Sequence, residues 1–389
     1  MTAVPTVLLA PDKFKGSLTA AQVAAALTAG IRRVSHARVV TVPVADGGDG
    51  TVDAAVSAGF TRVPVTATGP TGEPVETAYA RRGATAVVEM ADVCGLWRLP
   101  GGRREPMTAT SRGLGEVIGA ALDAGCIQVV LGIGGSASTD GGAGMVAALG
   151  GRLLDAHGDD LLDGGAALAE LARADLGALR SRMKGITVTV ASDVDNPLLG
   201  ERGAAAVYGP QKGASAEQVA QLDAALAHWA DVVEEATGRD DRHLPGAGAA
   251  GGVGFGAVAV LGAGIGSGID LLLDLVGFAA ALDQLTPGDL VVTGEGSLDE
   301  QTLHGKAPAG VAAASAARGI PVVAVCGRTT LDADRLRGAG INAAYALSDV
   351  EPDLQRCFDE AAALVEQLGE RLARERLVTT GGAEMGATR

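Results

Sequence analysis

Gln128-Val-Val-Leu-Gly132 runs without a break into Ile133-Gly-Gly-Ser-Ala-Ser-Thr-Asp-Gly-Gly142. A short apolar run, a loop dense in glycine and hydroxyls and a helical stretch make one strand–loop–helix unit, and units of this kind recur outward in both directions. Toward the N-terminus, residues 6–10 predict a strand and 20–33 a helix, opened by the capping box Thr19-Ala-Ala-Gln22. A strand at 39–44 and a helix at 51–58 follow. The pattern then changes: 63–68 and 74–80 flank Gly69-Pro-Thr-Gly72 and predict a β-hairpin. Alternation resumes with a helix at 112–124, a strand at 186–191 and a long helix from Ser215-Ala-Glu-Gln218 to about residue 237. Residues 239–252 are polar and glycine-rich and are expected to form a mobile loop. Strands at 289–293, 321–326 and 341–347 repeat the N-terminal style, and a helix is expected over 353–376 with a disordered tail after it.

Short buried strands alternating with amphipathic helices predict an α/β fold with largely parallel sheets. At 389 residues the chain is long for one core, so two domains are expected. In the simplest topology 1–65 and 288–389 form one discontinuous domain, 66–287 form an inserted second domain, and the active site lies in the cleft between them.

Composition narrows the classes of function. Hydrophobic residues make up 47% and charged residues 20%, and no apolar stretch is long enough to suggest a membrane span. The first ten residues carry no basic segment ahead of an apolar one, so no signal peptide is expected and the location is expected to be cytoplasmic. Cys94, Cys126, Cys326 and Cys357 are widely separated and predict buried, reduced thiols. A net charge of −15 and only ten aromatic residues disfavour a nucleic-acid surface. A small anionic ligand needs only local positive charge. Of 31 basic residues five are lysines, and Lys13, Lys15, Lys212 and Lys306 all sit in short loops beside glycine or carboxylates. Compact ammonium groups in such loops point to a polyanion.

In open α/β sheets ligands bind where strands end and helices begin. Five segments have that placement or composition: Asp12-Lys-Phe-Lys-Gly-Ser17, Asp46-Gly-Gly-Asp-Gly-Thr51, 132–142, Asp193-Val-Asp-Asn-Pro197 and Thr293-Gly-Glu-Gly-Ser-Leu-Asp-Glu-Gln-Thr302. The 132–142 loop can bring backbone amides and hydroxyls to a phosphate without an intervening side chain. Carboxylates gather in the same places: Asp12, Asp46, Asp49, Asp140, Asp193, Asp195, Glu295 and Asp299. Phosphoryl transfer uses one or two carboxylates for Mg²⁺ and often another for the proton of the attacking hydroxyl. The Walker A pattern is missing, and Gly246-Ala-Gly-Ala-Ala-Gly251 spells G-x-G-x-x-G without a strand before it, so it reads as a flexible loop. Of the histidines only His304 is near a candidate site, and a G-x-S-x-G elbow is missing.

These segments, together with Gly209-Pro-Gln-Lys-Gly213, resemble in order those of the type I glycerate kinases of bacteria, over about residues 6–370. The resemblance implies ATP-dependent phosphorylation of D-glycerate, generally at the 2-hydroxyl, by a protein of two α/β domains. It departs mildly at Ala191-Ser192, where the family is associated with a cysteine before Asp193. On that footing Gly134, Gly135, Ser136, Ser138, Thr139 and Gly141 are expected to hold ATP phosphates, with Lys212 or Lys306 reaching the transferred group. Asp193, Glu295 and Asp299 are candidates for Mg²⁺, and Asp193 or Asp46 for the hydroxyl proton. Lys13, Lys15, Ser17, Asp49 and Arg112 are expected around glycerate, Lys13 among the catalytic set. No membrane or nucleic-acid partner is expected, and the protein would be a monomer or homodimer.

Two competing classes make different demands. A hydroxy-acid dehydrogenase should show a G-x-G-x-x-G after an early strand and a catalytic histidine. A non-catalytic phosphometabolite sensor would keep the lysines and glycines without needing paired carboxylates.

Overall fold

The computed structural model describes residues 4–303 and 305–377; the tail after 377 and His304, both mentioned above, lie outside the described residues. In chain order the strands are β1 Thr6–Pro11, β2 Arg38–Thr41, β3 Thr61–Thr68, β4 Pro74–Arg82, β5 Thr85–Glu89, β6 Gln128–Gly132, β7 Arg152–Leu154, β8 Arg173–Asp175, β9 Thr187–Ala191, β10 Gly264–Gly266, β11 Leu290–Leu298, β12 Val322–Thr329 and β13 Ala343–Ala346.

The chain divides into two compact units, Met1–Val44 with Gly277–Arg389, and Ala45–Val276. The first unit is discontinuous and holds a five-stranded, wholly parallel sheet in the order β13-β12-β11-β1-β2. Its centre is apolar on both faces, as parallel sheets require: Val7, Leu8, Leu9 and Ala10 of β1 and Val291 and Val292 of β11 have no exposed surface. Helix Ala20–Val34 begins at the expected capping box, with Thr19 and Gln22 exchanging hydrogen bonds. It packs on helix Ala361–Arg376 so tightly that a Cβ added at Gly30 would lie 2.0 Å from the Glu366 carbonyl oxygen.

The second unit is the inserted one. Its six-stranded sheet runs β10-β9-β6-β5-β4-β3, parallel from β10 to β5 and antiparallel through the hairpin β3–β4 and its pairing with β5. A separate antiparallel pair, β7–β8, sits in the same unit.

The division falls earlier than the 65/66 and 287/288 boundaries expected from sequence, for a reason visible in the packing. Val52 and Ala55 of helix Thr51–Ser57, with Phe60, share a core with Ala80 and Val87 of the second sheet. At the other end, helix Phe278–Leu282 belongs with β1, and Asp283 pairs with Arg318 of the first unit.

Three local expectations are corrected. Residues 294–298 continue β11 instead of leaving it as a loop, pairing Glu295 with Cys326 and Ser297 with Arg328. Gly294 permits this, because a Cβ there would meet the Val325 carbonyl oxygen at 2.1 Å. The segment 246–252 is packed, not free: Gly246 to Ala249, Gly251 and Gly252 are buried, and Gly248 rests on the Pro197 carbonyl. The C-terminal helix is two helices, Leu354–Asp359 and Ala361–Arg376, separated where Glu360 leaves helical geometry.

Candidate active site

Within the first unit, charged groups gather where β1 and β11 end. Asp12 follows β1, its backbone N–H donating to the Gly294 carbonyl at 2.8 Å, and its carboxylate accepts from the Lys13 backbone N–H. The Lys13 ammonium stands 3.4 Å from the same carboxylate. On the neighbouring strand Glu295 is buried, accepts the hydroxyl hydrogen of Thr302 and faces the Lys306 ammonium at 3.7 Å. Lys15 is exposed, and the Ser17 hydroxyl donates to the Phe14 carbonyl at 3.1 Å. Asp299 accepts from the Gln301 N–H at 2.9 Å and its own N–H donates to the Thr302 hydroxyl, so it caps the turn that leads to Lys306. The local balance is three ammonium groups set among Asp12 and Glu295.

Within the second unit, a different group forms at the carboxyl ends of β6 and β9. The loop 46–50 lies across them: Gly134 donates its N–H to the Gly47 carbonyl at 3.2 Å, and an added Cβ at Gly47 would be 2.7 Å from the Ala191 carbonyl oxygen. Gly135 lies against Asp49, whose Oδ1 would be 2.8 Å from a Cβ there. Asp193 follows β9 and accepts the N–H of Gly268, the first residue of helix Gly268–Leu275, at 2.9 Å. Although Asp193 is exposed at its edge, packing on this side raises its carboxyl pKa through desolvation, and Asp46 adds to the rise; bonds from Ser267 and Gly268 oppose it. Asp46 turns its own carboxylate to the Gly48 N–H at 3.1 Å. Asp46, Asp49 and Asp193 therefore share one end of the sheet with the exposed backbone of Gly135 and the half-buried Gly134.

The glycine-rich loop is less open than its sequence suggests. Ser136, Ser138, Thr139, Asp140 and Gly141 are all buried. Asp140 accepts from the Ser111 N–H at 2.8 Å, the Ser111 hydroxyl at 2.7 Å and the N–H groups of Gly142 and Gly144, which fixes the turn into helix Ala143–Ala148. Four donors on one carboxylate make it a knot of structure. Lys212 is buried beneath the same loop. Arg112 forms a two-pronged pair with Asp163, at 2.6 and 2.8 Å, in a cleft lined by Gly144, Gly151 and Leu161.

Sequence reasoning missed Glu89. At the end of β5 it is 7% exposed and accepts the N–H groups of Gly50 and Val52, each at 3.0 Å. Burial lifts its carboxyl to about 7 against the pull of these two amides, and the neighbouring charges of Asp92 and Asp49 add to the lift. It thus anchors the 46–51 loop from below. A lone acid ending the apolar run Thr85-Ala-Val-Val-Glu89 was the signal available.

A sequence model of the glycerate kinase family matches residues 7–377. The glycerate kinase of Bacillus subtilis (strain 168) is 44% identical over 371 residues, 94% of this chain and 96% of its own. The chain belongs to the glycerate kinase family. Glycerate 2-kinase of Escherichia coli (strain K12) is 43% identical over 346 residues, covering 88% of this chain and 90% of its own. The crystal structure of a protein described as glycerate kinase 2 from Salmonella typhimurium LT2 superposes with a TM-score of 0.82 at 40% identity, covering 96% of this chain and 98% of that one. Membership of the glycerate kinase family makes the protein a kinase with a small-molecule substrate and ATP as co-substrate. No helix among the described residues is long and apolar enough to cross a membrane.

The donors fit a magnesium ion of the kind kinases use, and not a protein-built cage. Among the described residues no group of three or more His, Cys, Asp or Glu side chains could hold a metal. Mg²⁺ commonly takes only one or two carboxylates and completes its shell with water and phosphate oxygens. Asp46 and Asp193, close enough for one charge to raise the other's pKa, are two carboxylates that fit such an arrangement. Glu295 already faces Thr302 and Lys306, and Asp299 caps a turn.

Proposed function

We propose that this protein transfers the γ-phosphoryl group of ATP to the 2-hydroxyl of D-glycerate, giving 2-phospho-D-glycerate and ADP. The observation that carries the reading is the family match over 7–377, joined to acidic and basic loops at the carboxyl ends of parallel strands. Choice of the 2-hydroxyl rests on the 43% identical relative named glycerate 2-kinase.

In this reading the exposed backbone of Gly135 meets ATP phosphate, Gly134 is held beside it by the Gly47 carbonyl, and Ser136, Ser138, Thr139 and Gly141 shape the loop from behind. Asp46 holds Mg²⁺, assisted by Asp193. When bound, the metal supplies positive charge to the phosphate oxygens. Asp193 takes the proton of the glycerate 2-hydroxyl as that oxygen bonds to the γ-phosphorus and the bond to the ADP oxygen breaks, a role that its carboxyl pKa, raised by desolvation and by the charge of Asp46, suits. Lys13 and Lys15 bind the glycerate carboxylate, and Lys306, held by Glu295, stabilises the transferred group. Ser17 and Asp49 order the loops that carry Lys15 and Gly135.

Phosphorus NMR of the product from ATP, Mg²⁺ and D-glycerate tests the proposal. A 2-phosphoglycerate resonance is expected. A 3-phosphoglycerate resonance would overturn the regiochemistry, and no phosphorylated glycerate would overturn the reaction.

A further inference from the structure

Lysine in a kinase loop is normally read as a phosphate contact, and the surroundings of Lys212 do not allow that role. The residue closes the turn Pro210–Lys212 and is 2% exposed. Its ammonium donates to the Ser136 hydroxyl at 2.8 Å and to the Ser138 carbonyl oxygen. Gly251 forms the lid on the other side, in left-handed geometry at φ +69°; a Cβ there would lie 2.7 Å from Nζ and 2.2 Å from the Ser138 carbonyl oxygen. Beside it, Gly213 at φ +94° has no room for a side chain against Arg104. The ammonium is therefore enclosed between the glycine-rich loop and the 246–252 segment, facing inward.

Enclosure has a cost that only a structural return explains. Desolvation draws the Lys212 pKa down to about 7, and the charge of Asp140 works against that fall. In exchange, two points of the loop two residues apart are tied to one atom. The tie also turns the Ser138 carbonyl inward, where its negative end cannot oppose an anion outside. Inside the same loop the Ser138 and Thr139 hydroxyls are buried without a hydrogen-bond partner, so the ammonium, beside the Asp140 carboxylate, is a tie that holds this loop from within.

We propose that Lys212 is a positioning residue: it fastens Ser136 and Ser138 from inside, keeping the Gly134–Ser136 backbone set for an ATP phosphate, and does not itself touch the nucleotide. This rests on the reading that the loop holds ATP.

Steady-state kinetics of Lys212→Met test it. The expected result is a KM for ATP raised about tenfold, the effect of losing one charge-assisted hydrogen bond, with kcat within about threefold and the KM for glycerate unchanged. Lys212→Ala leaves a hole, and methylammonium should restore ATP affinity there at concentrations that leave the parent enzyme unaffected. A fall in kcat of about a hundredfold or more at unchanged KM for ATP would overturn the proposal, because that is the signature of a group acting on the transferred phosphoryl. Unchanged kinetics in Lys212→Met would overturn it as well. If Lys212→Met does not fold, Ser136→Ala removes one end of the tie and should raise the KM for ATP in the same direction; no change there would sink the idea. Gly134→Ala separates this proposal from the one beneath it, since its Cβ would lie 2.7 Å from Gly48 Cα. Normal ATP binding by Gly134→Ala removes the loop from the nucleotide site altogether. Lost binding there, with unchanged kinetics in Lys212→Met, removes only the role of Lys212.

Discussion

The end of β1 and β11 in one unit and the end of β6 and β9 in the other occupy equivalent places in their own sheets, yet their chemistry is opposite. In the first unit, Lys13, Lys15 and Lys306 are set among two buried acids. In the second, Asp46, Asp49 and Asp193 are set among backbone amides, and the one lysine nearby is sealed inside. Parallel topology supplies the location of a site; the residues placed there decide the sign of what it holds. A phosphoryl-transfer enzyme needs both signs, cations for its anionic substrate and carboxylates for a metal and a proton.

Removing the acid should have the largest effect. Asp193→Asn keeps an acceptor for the Gly268 N–H but no longer takes a proton, so kcat should fall by about 10³, within the range for loss of a general base. Steady-state assays with saturating ATP and glycerate measure it, and a loss under about tenfold would take Asp193 out of the chemical step. On the basic side, Lys13→Met should raise the KM for glycerate about thirtyfold through loss of a charge-assisted contact, with the KM for ATP little changed. An equal rise in both constants would show that the two groups do not divide the substrates as proposed.

The smallest effect concerns the anchor beneath the acidic loop. Burial pushes the Glu89 carboxyl up to about 7 in the folded protein from its ordinary 4.5, so between these pH values the folded state binds the extra proton. Its contribution to stability is fully present below about 4.5 and is lost as pH rises through about 7. Glu89→Gln leaves one of two backbone N–H groups with a poorer partner and should lower unfolding free energy by about 1 kcal/mol. It should also abolish that part of the pH dependence. Urea unfolding of both proteins at pH 5 and pH 7.5 checks it; identical pH slopes would show that Glu89 is not titrating in this window.

Much of this architecture was readable from local pattern. The strand expected at 128–132 is β6, the capping box expected at Thr19 forms and the helix expected from Ser215 opens with another, and the turn Gly69-Pro-Thr-Gly72 joins the antiparallel pair β3–β4. Those features are set by residues close in sequence, where propensity and capping chemistry act. What was not readable depends on residues far apart. Nothing local to Glu295 says that β11 continues through it, because the cause is the approach of β12 to Gly294. The 246–252 segment has the composition of a loose loop and becomes packed because Ser138, Gly141 and Pro197 come to meet it. Loop composition singled out Lys212, while its burial depended on that same long-range encounter.

The order of strands in the first sheet also sets a timetable. β1 lies between β2 and β11, and the Thr6 N–H is held by Asp289, 283 residues further along. At a synthesis rate of about 5–20 residues per second, one edge of β1 stays without its neighbour for roughly 12–46 seconds while the whole of 45–276 is being made. The inserted unit has all its strands in one continuous stretch and waits for nothing downstream. The apolar run Val7-Leu-Leu-Ala10 is thus the part of the newborn chain most in need of shielding, although in the finished protein it is among the most deeply enclosed.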